Sequence, residues 1–288
     1  MNDIKRIAGV VVLYNSPIDL LDNIQSYINQ IEILYIVTNS NNEPIEQIIN
    51  SFQTINIKII INKNNIGIAS ALNQAIELAI LDGFDFLLMM DQDSKVSDSL
   101  VTAMTNEFNN DELIGILAPF VVHERNPKIP HNSNREPIQV AMTSGSMIRL
   151  SIIKKIGKLL DDFFIDYVDQ EISLRMKSNG FKIYQLNNVF VFHKLGNIVE
   201  KKMFGKKIFP MNYKPIRLYY KTRNRFYVYK MYKGIFSDFI KEDRLNFFKE
   251  IIKIILFEKK RLKKLYMILK GFYHYKIGIL GKLGDYSL

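Results

Sequence analysis

The strongest constraint in this chain is an alternation in its first ninety residues, where four runs dominated by Ile, Val, Leu, Phe and Met are separated by three amphipathic segments. The runs at Ile7–Leu13, Ile33–Thr38, 57–61 and 84–90 have the length of strands, and their near-continuous apolar character is that of strands covered on both faces. The segments between them, 18–30, 44–52 and Ile68–Leu81, carry apolar residues at three- and four-residue spacing, which makes one face of a helix. Strand and helix alternating in this way predict a Rossmann-like α/β fold, a mostly parallel sheet flanked by helices. The first strand runs into Leu13-Tyr14-Asn15-Ser16-Pro17 without a Gly-x-Gly-x-x-Gly turn, which argues against a nicotinamide dehydrogenase.

At 288 residues and 48% hydrophobic content, the chain can bury a large core as one α/β domain or as a domain with an extension. It has no cysteine, so a disulfide framework and Cys-ligated zinc or iron–sulfur sites are excluded, and any metal must take oxygen or imidazole ligands. The first residues lack a signal-peptide cleavage pattern, and no run reaches the roughly 18 to 20 apolar residues of a spanning helix, so a cytoplasmic location is expected.

Charge divides the chain. Residues through His193 carry 15 Lys+Arg against 22 Asp+Glu, net −7, whereas those from Lys194 onward carry 24 against 7, net +17. The basic part mixes Lys and Arg with Tyr and Phe. Over 245–280 it alternates apolar runs with Lys clusters, as a basic amphipathic helix pair does. A boundary is expected near 196–210, with an α/β domain over 1–205 and a basic, mainly helical region over 206–288.

The segment most suggestive of chemistry is 84–94, an apolar run that ends in Asp91-Gln92-Asp93. A buried strand delivering two carboxylates to its C-terminal edge puts them in the crevice where open α/β sheets bind ligands. Mg²⁺ or Mn²⁺ takes such oxygens together with substrate phosphates. A polar turn after a strand would read the same way. An EF-hand would not, because Lys95 and Val96 stand where that loop needs a ligand and a glycine.

Several further motifs follow in order: 10–16 (VVVLYNS), 36–41 (IVTNSN), 64–73 (NNIGIASALN), Asp91-Gln92-Asp93, 143–149 (TSGSMIR), 163–175 (FFIDYVDQEISLR), 192–196 (FHKLG) and 219–225 (YYKTRNR). As an ordered set spanning about residues 9 to 232, they make the chain resemble glycosyltransferase family 2, and within it the bacterial rhamnosyltransferases that use dTDP-L-rhamnose. The resemblance implies a GT-A fold and a nucleotide-sugar site drawing on Tyr14, Asn15, Thr38, Asn39, Asn65, Gly67, Asn73, Gln92 and Gly145. It implies a divalent cation held by Asp91, Asp93 and His193, and Asp169 as the catalytic base. Asn65 and Gly67 are read as shaping a loop and helix start near the nucleotide.

Two departures stand out. Thr38 and Asn39 occupy positions where many relatives have acidic residues that hold the base, and Val168 occupies one where relatives with a Glu-Asp pair carry Glu, which leaves the base role to Asp169 alone. Transfer from a sugar diphosphonucleotide builds charge on the leaving diphosphate while the incoming hydroxyl loses a proton, so a cation and a single carboxylate base imply direct displacement with inversion. Arg149, Arg223 and Arg225 are further candidates for bidentate phosphate contacts.

The expected acceptor is a hydroxyl of a lipid-linked cell-surface glycan, met by an enzyme peripheral to the inner face of the membrane. The basic tail would then meet anionic lipid, or it would pack on the body or in a homo-oligomer. Competing readings are a UDP-sugar donor, a nucleotidyltransferase of similar layout, and a nucleic-acid-binding protein. The absence of a Gly-rich phosphate loop opposes the nucleotidyltransferase, and the acidic body opposes nucleic acid.

Overall fold

The computed structural model describes residues 5–53, 56–123, 135–193, 201–203 and 206–284. The chain forms two compact units, one comprising Met1–Asp161 and Asp169–Lys194, the other Asp162–Val168 and Leu195–Leu288. The division thus follows Lys194 on the main path of the chain. Position 205 of the expected 205/206 boundary lies outside the described residues.

The first unit opens with β1 (Ile7–Leu13), α1 (Leu20–Ile28), β2 (Ile33–Thr38), α2 (Ile45–Ser51), β3 (Asn56–Ile61), α3 (Ile68–Leu81) and β4 (Phe86–Asp91), each within a few residues of its expected span. These four strands are parallel in the order β3-β2-β1-β4, with Val10 opposite Tyr35 on one side and Val12 opposite Asp91 on the other. Side chains alternate across a strand. Val11 and Leu13 accordingly join the core formed with α1, while Ala8, Val10 and Val12 face the opposite side, where the small residues Ala69, Ala71 and Ala75 let α3 lie close to the sheet. Each fully buried Leu, Ile or Phe of this core contributes about 1.5 to 3 kcal/mol.

The sheet continues as β4-β8-β6-β9-β5. Its remaining elements are β5 (Ser94–Val96), α4 (Leu100–Asn110), β6 (Ile114–Val122), β7 (Arg135–Pro137), β8 (Ser146–Arg149), α5 (Leu150–Ile156), α6 (Val168–Ser178) and β9 (Lys182–His193). β8 runs antiparallel to both β4 and β6, and β5 and β7 run antiparallel to β9, so this half is mixed. Pro119 lies within β6, and the β6–β9 register shifts between Pro119 and Phe120, as a strand must where a residue cannot donate to the ladder.

The second unit holds a small hairpin, β10 (Lys201–Met203) with β11 (Lys206–Ile208), and three helices, α7 (Pro215–Met231), α8 (Ser237–Phe257) and α9 (Arg261–Lys276). α7 and α9 meet at Gly271, where an added Cβ would lie 2.4 Å from the Tyr219 carbonyl oxygen. His274 on α9 is buried and its Nδ1 lies 2.7 Å from the Tyr219 hydroxyl, and burial lowers its pKa from the ordinary histidine value. Segment 162–168 contains three left-handed non-glycine residues, Phe164 (φ 62°), Asp166 (φ 63°) and Tyr167 (φ 66°). α7 secures them: the Asn224 amide donates to the Phe163, Ile165 and Asp166 carbonyls at 2.8 to 2.9 Å, and Arg223 donates to the Asp162 carbonyl at 2.8 Å. No helix among the described residues is long and apolar enough to cross a membrane.

Candidate active site

β4 ends at Asp91, and after Gln92 and Asp93 the chain turns into β5, whose Ser94 stands opposite His193, the last residue of β9. This antiparallel pairing brings together residues far apart in sequence. The donor atoms of Asp91, Asp93 and His193 all lie within 4.8 Å of one another, on half-buried side chains. His193 Nδ1 is 3.6 Å from Asp93 Oδ1 and 2.8 Å from the hydroxyl of fully buried Ser94, which orients the ring. Oxygen donors around an octahedral Mg²⁺ at about 2.1 Å stand about 3 to 4.2 Å apart. Two carboxylates and an imidazole at this separation therefore fit such a cation after small side-chain adjustments. Asp91 is held from behind as well, its backbone N–H lying 3.3 Å from the Ser144 hydroxyl.

Between the two aspartates, Gln92 acts as a surrogate strand residue. Its amide oxygen accepts from the Tyr14 N–H at 2.9 Å and its amide nitrogen donates to the Tyr14 carbonyl at 3.0 Å, so the β1–β4 seam continues one step past the strands through a side chain. Asn15 follows in the left-handed region at φ 51°. Its N–H donates to Glu43 Oε1 at 2.8 Å and to the Ser40 hydroxyl at 3.1 Å, and Glu43 also accepts from the Ser16 N–H at 3.3 Å and from the hydroxyls of Ser16 and Ser40. Glu43 thus organises the turn after β1, a role that a lone acid in the polar stretch Ser40-Asn41-Asn42-Glu43-Pro44 does not advertise.

At the end of β2, Asn39 is buried, donating to the Gly67 carbonyl at 3.1 Å and accepting from Asn62 at 3.3 Å, and Asn62 exchanges paired amide bonds with Gln74. Gly67 caps α3 at φ 87°, a conformation suited to glycine, and its N–H donates to Asn65 Oδ1 at 2.8 Å. Asn73 is buried in α3 and ties the connection before segment 162–168, donating to the Leu159 carbonyl and Asp161 Oδ1 at 2.8 Å each and accepting from the Leu159 N–H at 3.0 Å. Asn39, Asn62, Asn65, Gly67, Asn73 and Gln74 together form the frame beneath the loops. Thr38 differs, since its hydroxyl is buried and finds no partner among the described residues. Gly145, at φ 77°, lies where an added Cβ would come 2.8 Å from Pro119 Cγ, so only glycine passes.

Asp169 is half-buried in the first turn of α6, where the helix dipole favours a carboxylate. Two residues on, Glu171 is completely buried and paired with Arg175 at 2.6 Å. The three arginines considered as candidates for phosphate are engaged elsewhere. Arg149 donates to the Phe108 carbonyl in the last turn of α4 and to the Asp111 and Ile114 carbonyls after it, Arg223 is buried on carbonyls of segment 162–168 and Gly281, and Arg225 is buried against Asp243 and Tyr167. A guanidinium lends itself to binding backbone carbonyls as well as to binding phosphate, and sequence does not distinguish the two uses.

A parallel, nucleotide-type half-sheet continued by a mixed half, with an acidic loop at their junction, is the build of the GT-A glycosyltransferases. Residues 10–165 match the model of glycosyl transferase family 2, and the chain belongs to that family. It is 26% identical over 242 residues to the dTDP-rhamnosyl transferase RfbF of Shigella flexneri, the match covering 77% of this chain and 79% of the relative. Its fold is also that of GalNAc-T7 with UDP, GalNAc and Mn²⁺ (TM-score 0.63, 12% identity, 85% of this chain and about half, 51%, of the other). A third match is S. aureus TarS 1-349 in complex with UDP-GlcNAc (TM-score 0.60, 14% identity, 95% and 81%). The protein is a glycosyltransferase.

Proposed function

We propose that this enzyme moves L-rhamnose from dTDP-L-rhamnose onto a hydroxyl of a lipid-linked glycan, with inversion at the anomeric carbon, while peripheral to the cytoplasmic face of the membrane. The observation that carries the reading is the convergence of Asp91, Asp93 and His193 at the end of β4, a donor set suited to Mg²⁺ or Mn²⁺ beside a sugar diphosphate. The description of the Shigella relative as a dTDP-rhamnosyl transferase supports the donor. Once bound, the cation supplies charge neutralisation to the departing diphosphate.

Asp169 accepts the proton of the acceptor hydroxyl as the oxygen attacks the anomeric carbon. The bond from that carbon to the diphosphate oxygen breaks, and dTDP leaves. A second carboxylate nucleophile is unnecessary, hence inversion. The Tyr14–Asn15 turn, fixed by Gln92 and Glu43, borders the nucleotide, and the unpartnered Thr38 hydroxyl is a candidate contact for the base, because a buried polar group without a partner calls for one.

A second reading, a UDP-sugar donor, draws on the UDP and UDP-GlcNAc in the structures of similar fold. The test is a donor panel assayed for nucleoside diphosphate release with Mn²⁺ and with EDTA. We expect cation-dependent release from dTDP-L-rhamnose above that from UDP-hexoses. Equal turnover of UDP-glucose would reject the rhamnose assignment, and an undiminished rate in EDTA would reject the cation.

A further inference from the structure

We propose that the outward faces of α8 and α9 are the surface by which the enzyme docks on an anionic lipid bilayer. The assignment rests on the peripheral-membrane reading above and names the part of the chain responsible. α9 has two apolar faces. One is used in folding: Met267, Ile268 and Gly271 are buried within the unit. The other carries Leu262, Tyr266, Leu269 and Tyr273, which are 81%, 61%, 67% and 54% exposed. Their 4-3-4 spacing keeps them within an arc of roughly 60° at about 100° per residue, a continuous stripe along the whole helix.

α8 repeats the design. Ile240, Phe247 and Ile254 are buried, whereas Leu245, Phe248, Ile252 and Leu256 are more than half exposed. Scattered exposed leucines are ordinary on a protein surface, but two ordered stripes on successive helices are not.

The cations identify the occupant. Phe248, Ile252, Leu262 and Leu269 are each followed directly by a lysine, Lys249, Lys253, Lys263 and Lys270, the turn between the helices carries Lys259 and Lys260, and Arg261 opens α9. A lysine one residue beyond an apolar anchor flanks the stripe, so its stem can lie along the hydrocarbon boundary with the ammonium among headgroups. Against a second copy of the chain, the same rows of lysine would face one another across a two-fold axis and repel. Against nucleic acid, the rings of Tyr266, Tyr273 and Phe248 could stack on bases, but the aliphatic Leu245, Ile252, Leu256, Leu262 and Leu269 beside them would stay uncovered. An anionic bilayer answers both the mixed aliphatic and aromatic stripe and its basic border.

The experiment uses the full chain and flotation with phosphatidylcholine vesicles, with and without 30% phosphatidylserine, at low and high salt. Three variants are compared with the wild type: Leu262→Glu with Leu269→Glu, Lys263→Gln with Lys270→Gln, and Leu81→Glu as an exposed apolar control on the first unit. Thermal stabilisation by dTDP with Mn²⁺ reports that each remains folded with its nucleotide site intact. We expect binding to the phosphatidylserine vesicles that falls with salt, drops at least ten-fold in the leucine pair and about five-fold for each lysine neutralised, and is unchanged by Leu81→Glu. Wild-type binding retained by both α9 variants would overturn this surface while leaving the peripheral reading intact. No vesicle binding at low salt would overturn both while leaving glycosyl transfer untouched. A dimer in solution that the paired Leu262→Glu and Leu269→Glu variant converts to monomer would assign the stripe to self-association and overturn the lipid assignment.

Discussion

Glu43→Gln tests whether the turn after β1 belongs to the donor site. Each Glu43 oxygen serves two donors, Oε1 the Asn15 N–H and the Ser40 hydroxyl, Oε2 the N–H and hydroxyl of Ser16. Four donors converging on one side chain require an acceptor at every position, which a carboxylate is and an amide is not. Glutamine keeps the shape but turns one oxygen into an NH₂. The two hydroxyls can rotate and accept from it; the backbone N–H facing it cannot. One peptide donor therefore loses its partner, and the remaining bonds lose their ionic assistance. A hydrogen bond to a charged group is worth about 1.5 to 3 kcal/mol against about 0.5 to 1.5 for a neutral one, and Asn15 is exposed enough for water to replace part of the loss. The ordered turn, with Asn15 already left-handed at a cost of about 1 kcal/mol, should weaken by about 2 kcal/mol, or about thirty-fold in its equilibrium. Donor binding then rises in KM by at most that factor, depending on how fully the wild-type turn is formed. Steady-state kinetics with varied donor, alongside urea unfolding, should find KM raised about three- to thirty-fold with kcat nearly unchanged. A destabilised protein with an unaltered donor KM would separate the turn from the donor site, and no change in either quantity would refute the role given to the carboxylate.

Further changes probe the other parts. Asp93→Asn should abolish most cation-dependent transfer in a protein of normal melting temperature, read by dTDP release across a Mn²⁺ titration. Asp169→Asn should leave dTDP binding intact and slow transfer by about 10² to 10⁴, the usual worth of a general base, with loss of nucleotide binding as the contrary result. Thr38→Val removes a buried hydroxyl that has no partner among the described residues, so stability should hold or rise while the donor KM increases about two- to ten-fold; an unchanged KM removes Thr38 from the base pocket. Gly271→Ala forces a methyl against the Tyr219 carbonyl and should cost the second unit about 1 to 3 kcal/mol in chemical denaturation.

The parallel half of the sheet was legible because buried strands announce themselves as apolar runs between helices of one period. The mixed half was not: β9 interleaves Gln185, Asn187 and Asn188 with its apolar residues, and β5 is three residues long. The two aspartates were readable from the apolar run that ends on them. His193 was not readable by spacing, since its place beside Asp93 is created by the Ser94–His193 pairing across two strands, and only the family resemblance pointed to it. Asn39 and Asn73 were expected at the nucleotide, but their amides are occupied inside the frame. A buried asparagine that braces a loop and one that touches a ligand have the same letter, and the partner decides which it is. The same holds for the arginines. Glu43 carried no signal because its donors are mostly backbone and hydroxyl groups, which no side-chain pattern records.

The Gln92 clamp has a mechanical consequence. Its side chain grips both polar groups of Tyr14, while its backbone lies between Asp91 and Asp93 and its carbonyl is held by Asn23 at 3.0 Å. The acidic loop and the turn after β1 are therefore geared to each other by the hydrogen bonds of a rotatable side chain, two to Tyr14 and a longer one from the Ser16 hydroxyl at 3.4 Å, instead of by a continuous ladder. Any ligand that draws the aspartates toward one arrangement selects the matching arrangement of Tyr14, and thermodynamic reciprocity requires a ligand ordering Tyr14 to favour the aspartates by the same factor. On the proposed reading, ion affinity and nucleotide affinity measured one at a time would differ from those measured together.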